Sequence, residues 1–254
     1  MNPALLLLTD SRLPAGGHAH SGGTEQAIAT GAVHDLASLA AFLRGRLHTS
    51  GHVAAALAAA ACALSATGSP ATLWDPLDAE ADARTASPAQ RDASRTQGRL
   101  LLRVARRLWP SPALDGLAQA VPNPHHPIAL GAAAHAAGAS PEDAALAAAY
   151  HAITGPATAA VRLLGLDPVA VHGLLADLAP DLATTATTAA TAATAATAAT
   201  AATANMPARA TESPGTSGIP LADRLWAELP ARSAPALDLL AERHAGAKVR
   251  LFVS

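Results

Sequence analysis

The sequence predicts an all-α protein, a single-domain multi-helix bundle finished by an extended C-terminal tail. Three observations carry this. Half of the 254 residues are apolar, and most of these are Ala and Leu, which favour helix. The aromatic residues that favour strands are few: Phe42, Phe252, Tyr150 and three tryptophans. Helix-start signals recur, with a small polar cap before proline at the first helical position, in Ser87-Pro88-Ala89-Gln90, Ser140-Pro141-Glu142-Asp143 and Asp167-Pro168.

In chain order, Leu5–Leu8 is an apolar run too short to span a membrane, and no basic stretch precedes it as in a secretory signal. Asp10 to Glu25 is a glycine-rich loop. Ser21 can cap the helix that follows, Glu25 sits in its first turn, and Gly31 stops it. A helix from His34 or Asp35 runs to about His48, Ser50-Gly51 breaks it, and an Ala-rich helix follows from His52 to Ala66. A loop carrying Trp74 leads to a short helix from Leu77 to about Thr85. The next helix starts at Pro88 and ends before Trp109-Pro110. It carries Arg91, Arg95, Arg99, Arg103, Arg106 and Arg107, most of them on one basic face. Residues 111–127 read mostly as loop, with a short helix near Leu114–Ala120 and a histidine pair, His125-His126. Pro127 opens a helix ending near Gly138. The helix from Pro141 carries Tyr150 and His151, and Gly155-Pro156 should break or kink it. Another helix runs from Asp167-Pro168 to Pro180.

Residues 1–182 form the helical body. From Ala183 to Ala204 the chain repeats Thr-Ala-Ala, a period that drifts around a helix without a lasting apolar face. Residues 183–218 therefore read as a disordered or partly helical insertion. Residues 219–254 hold two short helices, Pro220–Leu229 and Pro235–His244, and a tail from Lys248 to Ser254 that must dock somewhere.

The net charge of −2 gives no argument for nucleic acid or an anionic membrane surface as a partner, and neither is expected. The arginine stripe suits either a protein-docking face or internal pairing with Asp78, Glu80 and Asp82. Cys62 is the only cysteine, so no internal disulfide forms, and its Ala/Leu-rich setting predicts a buried, inert thiol in a cytoplasmic protein.

The glycine loop lacks the lysine of a phosphate cradle. His18 and His20, two apart, permit a metal site with Asp10 or Glu25 nearby, and equally a structural corner whose rings bond to backbone. The eleven histidines are scattered, with no His-Glu-x-x-His or Cys/His spacing. Ser21 has no nucleophile-elbow context. The residues predict no catalytic centre; an α-helical body with an arginine face and an apolar tail suits binding to other proteins.

The run from Leu5 to Glu25 resembles the N-terminal signature of the urease accessory protein UreF family. Ala93-Ser94 with Gly98-Arg99-Leu100-Leu101, His126–Gly131, Tyr150–Leu164 and Pro235–Ser254 with His244 are similar to further family blocks, in family order. The resemblance implies an all-α, non-catalytic protein, dimeric within a complex. Its implied partners are a UreD (or UreH)-like accessory protein, a UreG-like GTPase and apo-urease. It would bridge the first two and assist nickel insertion, the complex handling the nickel while no cofactor stays bound to this chain. Tyr150, Arg250, Leu251, Phe252 and Ser254 would then contact a partner; Arg95 and Arg99 are assigned to partner binding from the arginine stripe alone. Pro14, Gly16, Gly17, His20, Ser21, Gly23 and Glu25 belong to the signature loop. The chain departs from the family at His18 and Val253, where an aromatic and a basic residue are common, and at Gly165-Leu166-Asp167-Pro168. A histidine-based nickel carrier using His18 and His20 is the alternative, since nickel accepts imidazole ligands.

Overall fold

The computed structural model describes residues 2–68, 71–204, 226–247 and 250–252, the side chains of His18 and Ala204 excepted. The architecture is all-α, with no strand among the described residues. A helix not expected from the sequence, α1 (Pro3–Thr9), opens the chain. Asn2 caps it by accepting from the Ala4 N–H at 2.9 Å, and Leu5 and Leu8 are buried while Leu6 and Leu7 stay exposed. A 3₁₀ turn, Gly17–Ala19, lies inside the glycine loop, and α2 is Thr24–Ala29.

Ser50-Gly51 does not break the chain. Helix α3 (Leu36–Arg46) passes through a π-turn, Leu47–Gly51, into α4 (His52–Ala66). Packing overrides the local signal here: a Cβ on Gly51 would lie 3.2 Å from the Ala152 Cβ, so this glycine is where a neighbouring helix comes close. The 31-residue run Leu36–Ala66 is long and apolar enough to cross a membrane, yet 72% of its most apolar window is buried inside the protein. Helix α4 is the hub of the bundle. Its alanines, from Ala55 to Ala61, are buried against α8 (His126–Ala136), α9 (Pro141–Leu164) and α11 (Ala179–Ala204). Small side chains let the axes approach closely. At Gly131 of α8 an added Cβ would stand 2.1 Å from the Ala58 carbonyl oxygen. Cys62 is buried in this seam, where desolvation pushes its thiol up to about 12, as the inert reading requires.

Around the hub lie α5 (Trp74–Ala83), α6 (Pro88–Leu108) and α7 (Pro112–Ala120). Ser87 and Ser140 accept the expected capping N–H at the start of α6 and α9, and Ser111, read as loop from the sequence, does the same for α7. Asp167 caps α10 (Pro168–Asp177), and Gly165, in the left-handed region, closes α9. Helix α12 (Pro235–Ala245) packs on α6 and α2.

The Thr-Ala-Ala stretch through Ala204 is corrected by the structure. It is helical and packed, not a disordered insertion. Leu182, Thr185, Ala186, Ala189, Ala190, Ala193, Ala196, Thr197 and Thr200 form one buried stripe at helical spacing. A period of three carries threonines onto every face, but a buried threonine need not be unsatisfied: Thr197 Oγ1 donates to the Ala193 carbonyl at 2.8 Å. With every side chain small, any face of this helix can pack. Residues 205–218 of the expected insertion, and most of the expected helix Pro220–Leu229, lie outside the described residues. Trp226 is buried, its backbone N–H donating to Thr200 Oγ1, and Arg84 donates to the carbonyls of Leu229 and Pro230.

Candidate functional site

The glycine loop is where the chain's separated blocks meet. Pro156 in α9 has no N–H, so the carbonyl of Ala152, four residues back, has no helical donor. Arg46, at the end of α3, supplies one: its Nε donates to the Ala152 oxygen at 2.8 Å, and its Nη1 donates to the Gly22 oxygen at 2.8 Å. Burial pushes this guanidinium down to about 10, so it stays charged at neutral pH and both bonds are charge-assisted. This is why Gly155-Pro156 does not break the helix.

Gly22 has φ +60°, and a Cβ there would lie 3.1 Å from both Arg46 Nη2 and Pro156 Cγ, so any other residue here would be strained and crowded. Gly16, at φ +79°, sets the loop against Leu100 of α6. Gly155 faces the His20 carbonyl and Gly23 faces Leu240 of α12, each at ordinary van der Waals distance. Ser21 is fully buried, and its hydroxyl accepts from the Glu25 N–H at 3.4 Å, although the capping position itself is Gly23.

The tail lies back on this loop. The Glu25 carboxylate accepts from the Leu251 N–H at 2.8 Å and from the Phe252 N–H at 3.1 Å. His244 Nε2 meets the Phe252 carbonyl at 3.2 Å, and its Nδ1 lies 3.7 Å from Glu25 Oε2. Arg250 is exposed, Phe252 half-buried and Leu251 77% exposed. Ser254 and Val253 lie outside the described residues. A cleft of about 1770 Å³ runs beside the loop, and Pro14, Gly17, His20, Gly23, Tyr150, Arg250 and Phe252 all line it. Tyr150 is 40% exposed there.

The arginine face divides. Arg95 is not a free docking group: it binds Asp78 at 2.8 Å and Asp82 at 2.5 Å, and donates to the Asn123 carbonyl at 2.8 Å. Asp78 is almost fully buried, and an opposite charge at hydrogen-bond distance offsets its desolvation. Arg91 also turns toward Asp82, and Arg106 pairs with Asp115. Arg99 and Arg103 are exposed. The same carboxylates organise the start of α8. Asp78 accepts from the His125 N–H at 2.7 Å, and Asp82 meets His125 Nε2 at 2.9 Å. Ser94 Oγ lies 3.1 Å from His125 Nδ1 and accepts from the His126 N–H at 3.1 Å. The Ser-His-Asp order resembles a catalytic relay, but the serine hydroxyl is already engaged in capping a helix. A Cβ on Gly98 would stand 2.0 Å from the Pro124 oxygen, which is what brings α6 this close.

His126 and His151 pack with their rings tilted 44° to one another and 5.8 Å between centroids. Burial pushes them down to about 3 and about 4, so both are neutral at pH 7. His20 lies close enough to contribute to the shift of His126. Among the described residues no group of three His, Cys, Asp or Glu side chains is arranged to hold a metal, and the His18 side chain lies outside them.

The sequence singled out Glu25, Tyr150 and the tail, but not Arg46. The signal available was Pro156, which frees a carbonyl at Ala152; nothing local says which donor meets it.

Comparison with known proteins matches residues 33–179 to the UreF family model. The urease accessory protein UreF of Mycolicibacterium vanbaalenii is 51% identical over 176 residues, 69% of this chain and 79% of the relative. That of Mycobacterium sp. (strain JLS) is 42% identical over 250 residues, 98% of this chain and 97% of the relative. That of Mycobacterium marinum is 49% identical over 181 residues, 71% and 81%.

Proposed function

This chain belongs to the UreF family of urease accessory proteins, and from that premise we propose that it acts in urease maturation as a non-catalytic bridge. It joins a UreD- or UreH-like protein to a UreG-like GTPase, influences GTP hydrolysis there, and assists nickel insertion into apo-urease. Nickel is cargo of the complex and no cofactor stays on this chain. The working unit is a homodimer inside that complex, in the cytoplasm.

The observation that supports this best is the tail. Glu25 holds it on α2, Arg250 and Phe252 line the same cleft as Tyr150 and the glycine loop, and Leu251 is turned outward. Leu251, with Phe252 half-buried and Arg250 exposed on either side of it, offers a partner an apolar contact and a charged one together. Deleting residues 250–254 tests the reading. We expect the truncated chain to keep its helix content by circular dichroism, to stop co-eluting with the UreD-like partner in size-exclusion chromatography, and to stop supporting urease activation. Co-elution at wild-type affinity would refute the assignment of the tail.

A further inference from the structure

We propose that Arg99, Arg103 and Arg107 form a row on the outer face of α6 that docks an acidic segment of a partner protein. This rests on the reading that the chain joins other proteins, and it adds a surface apart from the tail, since none of the three arginines lines the cleft beside Tyr150. The arginines of α6 fall into two sets. Arg91 turns to Asp82, Arg95 binds Asp78 and Asp82, and Arg106 pairs with Asp115. Arg99, Arg103 and Arg107 are exposed, and among the described residues they meet no carboxylate. Gly98, Leu101, Leu102 and Ala105 form the buried face of this helix, so a row at Arg99, Arg103 and Arg107, four residues apart, lies on the side turned to solvent. Asp92, the one acid of α6, stands two turns before Arg99, about 10 Å away along the axis.

The helix dipole favours cations in the last turn, which accounts for Arg106 and Arg107 but not for Arg99, more than two turns before the end at Leu108. A merely solvated face mixes both signs, and like charges four apart on a helix repel one another. In a chain whose net charge is −2, this row is a local positive excess that the fold leaves unbalanced. Carboxylates at matching spacing on another protein would balance it. Each guanidinium is planar, stays charged, and can hold a carboxylate through two parallel N–H donors. The row spans about 12 Å, so a short acidic segment covers it. Leu100 and Val104, half-buried, run beside the row and give the same segment an apolar contact. Nucleic acid fits less well, because α6 carries no aromatic side chain on which a base could stack.

The test compares the full-length chain with two triple variants, Arg99→Gln with Arg103→Gln and Arg107→Gln, and the same three positions changed to Glu. Each is measured against the purified UreD-like protein, and its complex with that protein against the UreG-like GTPase and apo-urease, by biolayer interferometry at low and physiological ionic strength. At least one of the three proteins should bind the Gln variant about tenfold more weakly and the Glu variant more weakly still, chiefly through slower association. For that protein, association with the wild-type chain should slow as salt is added, and association with the Glu variant should not. If the Glu variant loses helix content, the Gln variant carries the test. Wild-type affinity of the variants for all three proteins would overturn the row and leave the proposed function standing. Failure of the wild-type chain to bind any of the three would remove the proposed function and the row together. A clearly lower unfolding temperature in the Gln variant would place these arginines in pairs within the chain, and the row would be wrong. Lost binding to a mixed-sequence single-stranded oligonucleotide, with every protein affinity unchanged, would make the row a nucleic-acid contact and likewise overturn it.

Discussion

Arg46→Met removes the donor to two carbonyls, Ala152 and Gly22. The Ala152 oxygen has no helical substitute, because residue 156 is proline. An unpaired buried acceptor costs about 1–3 kcal/mol. Both bonds are only part-buried, so the lower half of that range applies and the pair should cost about 2–4 kcal/mol. At about 2–4 °C per kcal/mol for a chain of this size, Tm should fall by about 5–15 °C. Pro156→Ala restores an N–H aimed at the Ala152 oxygen. In that background Arg46→Met should orphan only Gly22 and cost about 1–2 kcal/mol less. Urea unfolding of the four proteins, followed by circular dichroism, measures the cycle. An equal cost in the two backgrounds, within about 0.5 kcal/mol, would refute the account of the proline's freed carbonyl.

Three other predictions follow from the packing and the histidines. Gly98→Ala forces a Cβ to within 2.0 Å of the Pro124 oxygen, so it should destabilise by at least about 1–3 kcal/mol in thermal unfolding. Ala189→Glu, on the buried stripe of α11, should lower the urea midpoint strongly, whereas Ala195→Glu on its exposed face should change stability by under about 0.5 kcal/mol; equal effects would mean that this helix does not pack. Burial depresses the folded-state pKa of His126 and His151, so the unfolded chain binds more protons below about pH 6.5. Stability should therefore be complete above that pH and fall on acidification toward about pH 4, by up to about 1.4 kcal/mol per pH unit for each ring, a slope that His126→Gln with His151→Asn should flatten in urea titrations at pH 7 and 5.

Much of the fold was legible because its signals are local. Ser87-Pro88 and Ser140-Pro141 mark helix starts through hydrogen bonds made within one turn, and the structure begins α6 and α9 there. The family blocks were legible as well, since glycines such as Gly22 and Gly98 mark places where backbone must come close. Where each would touch was not legible. Ser50-Gly51 and Gly155-Pro156 read as breaks, and α1 went unread, because a helix surrounded by partners is held by packing that local sequence does not encode. The Thr-Ala-Ala helix went unread for a related reason: hydropathy periodicity finds a face only when side chains differ in polarity and size, and here they barely do. The spacing of Arg95 shows which face it occupies but leaves docking and internal pairing with Asp78 or Asp82 both open, and the structure takes the pairing. The sequence determined where the proline-capped helices start and which residues are unusual. Only the tertiary structure decided that Glu25 meets a backbone 226 residues away, and that Arg46 meets the carbonyl freed by Pro156, since hydrogen bonds between distant segments depend on how helices stack and leave no periodic trace in the chain.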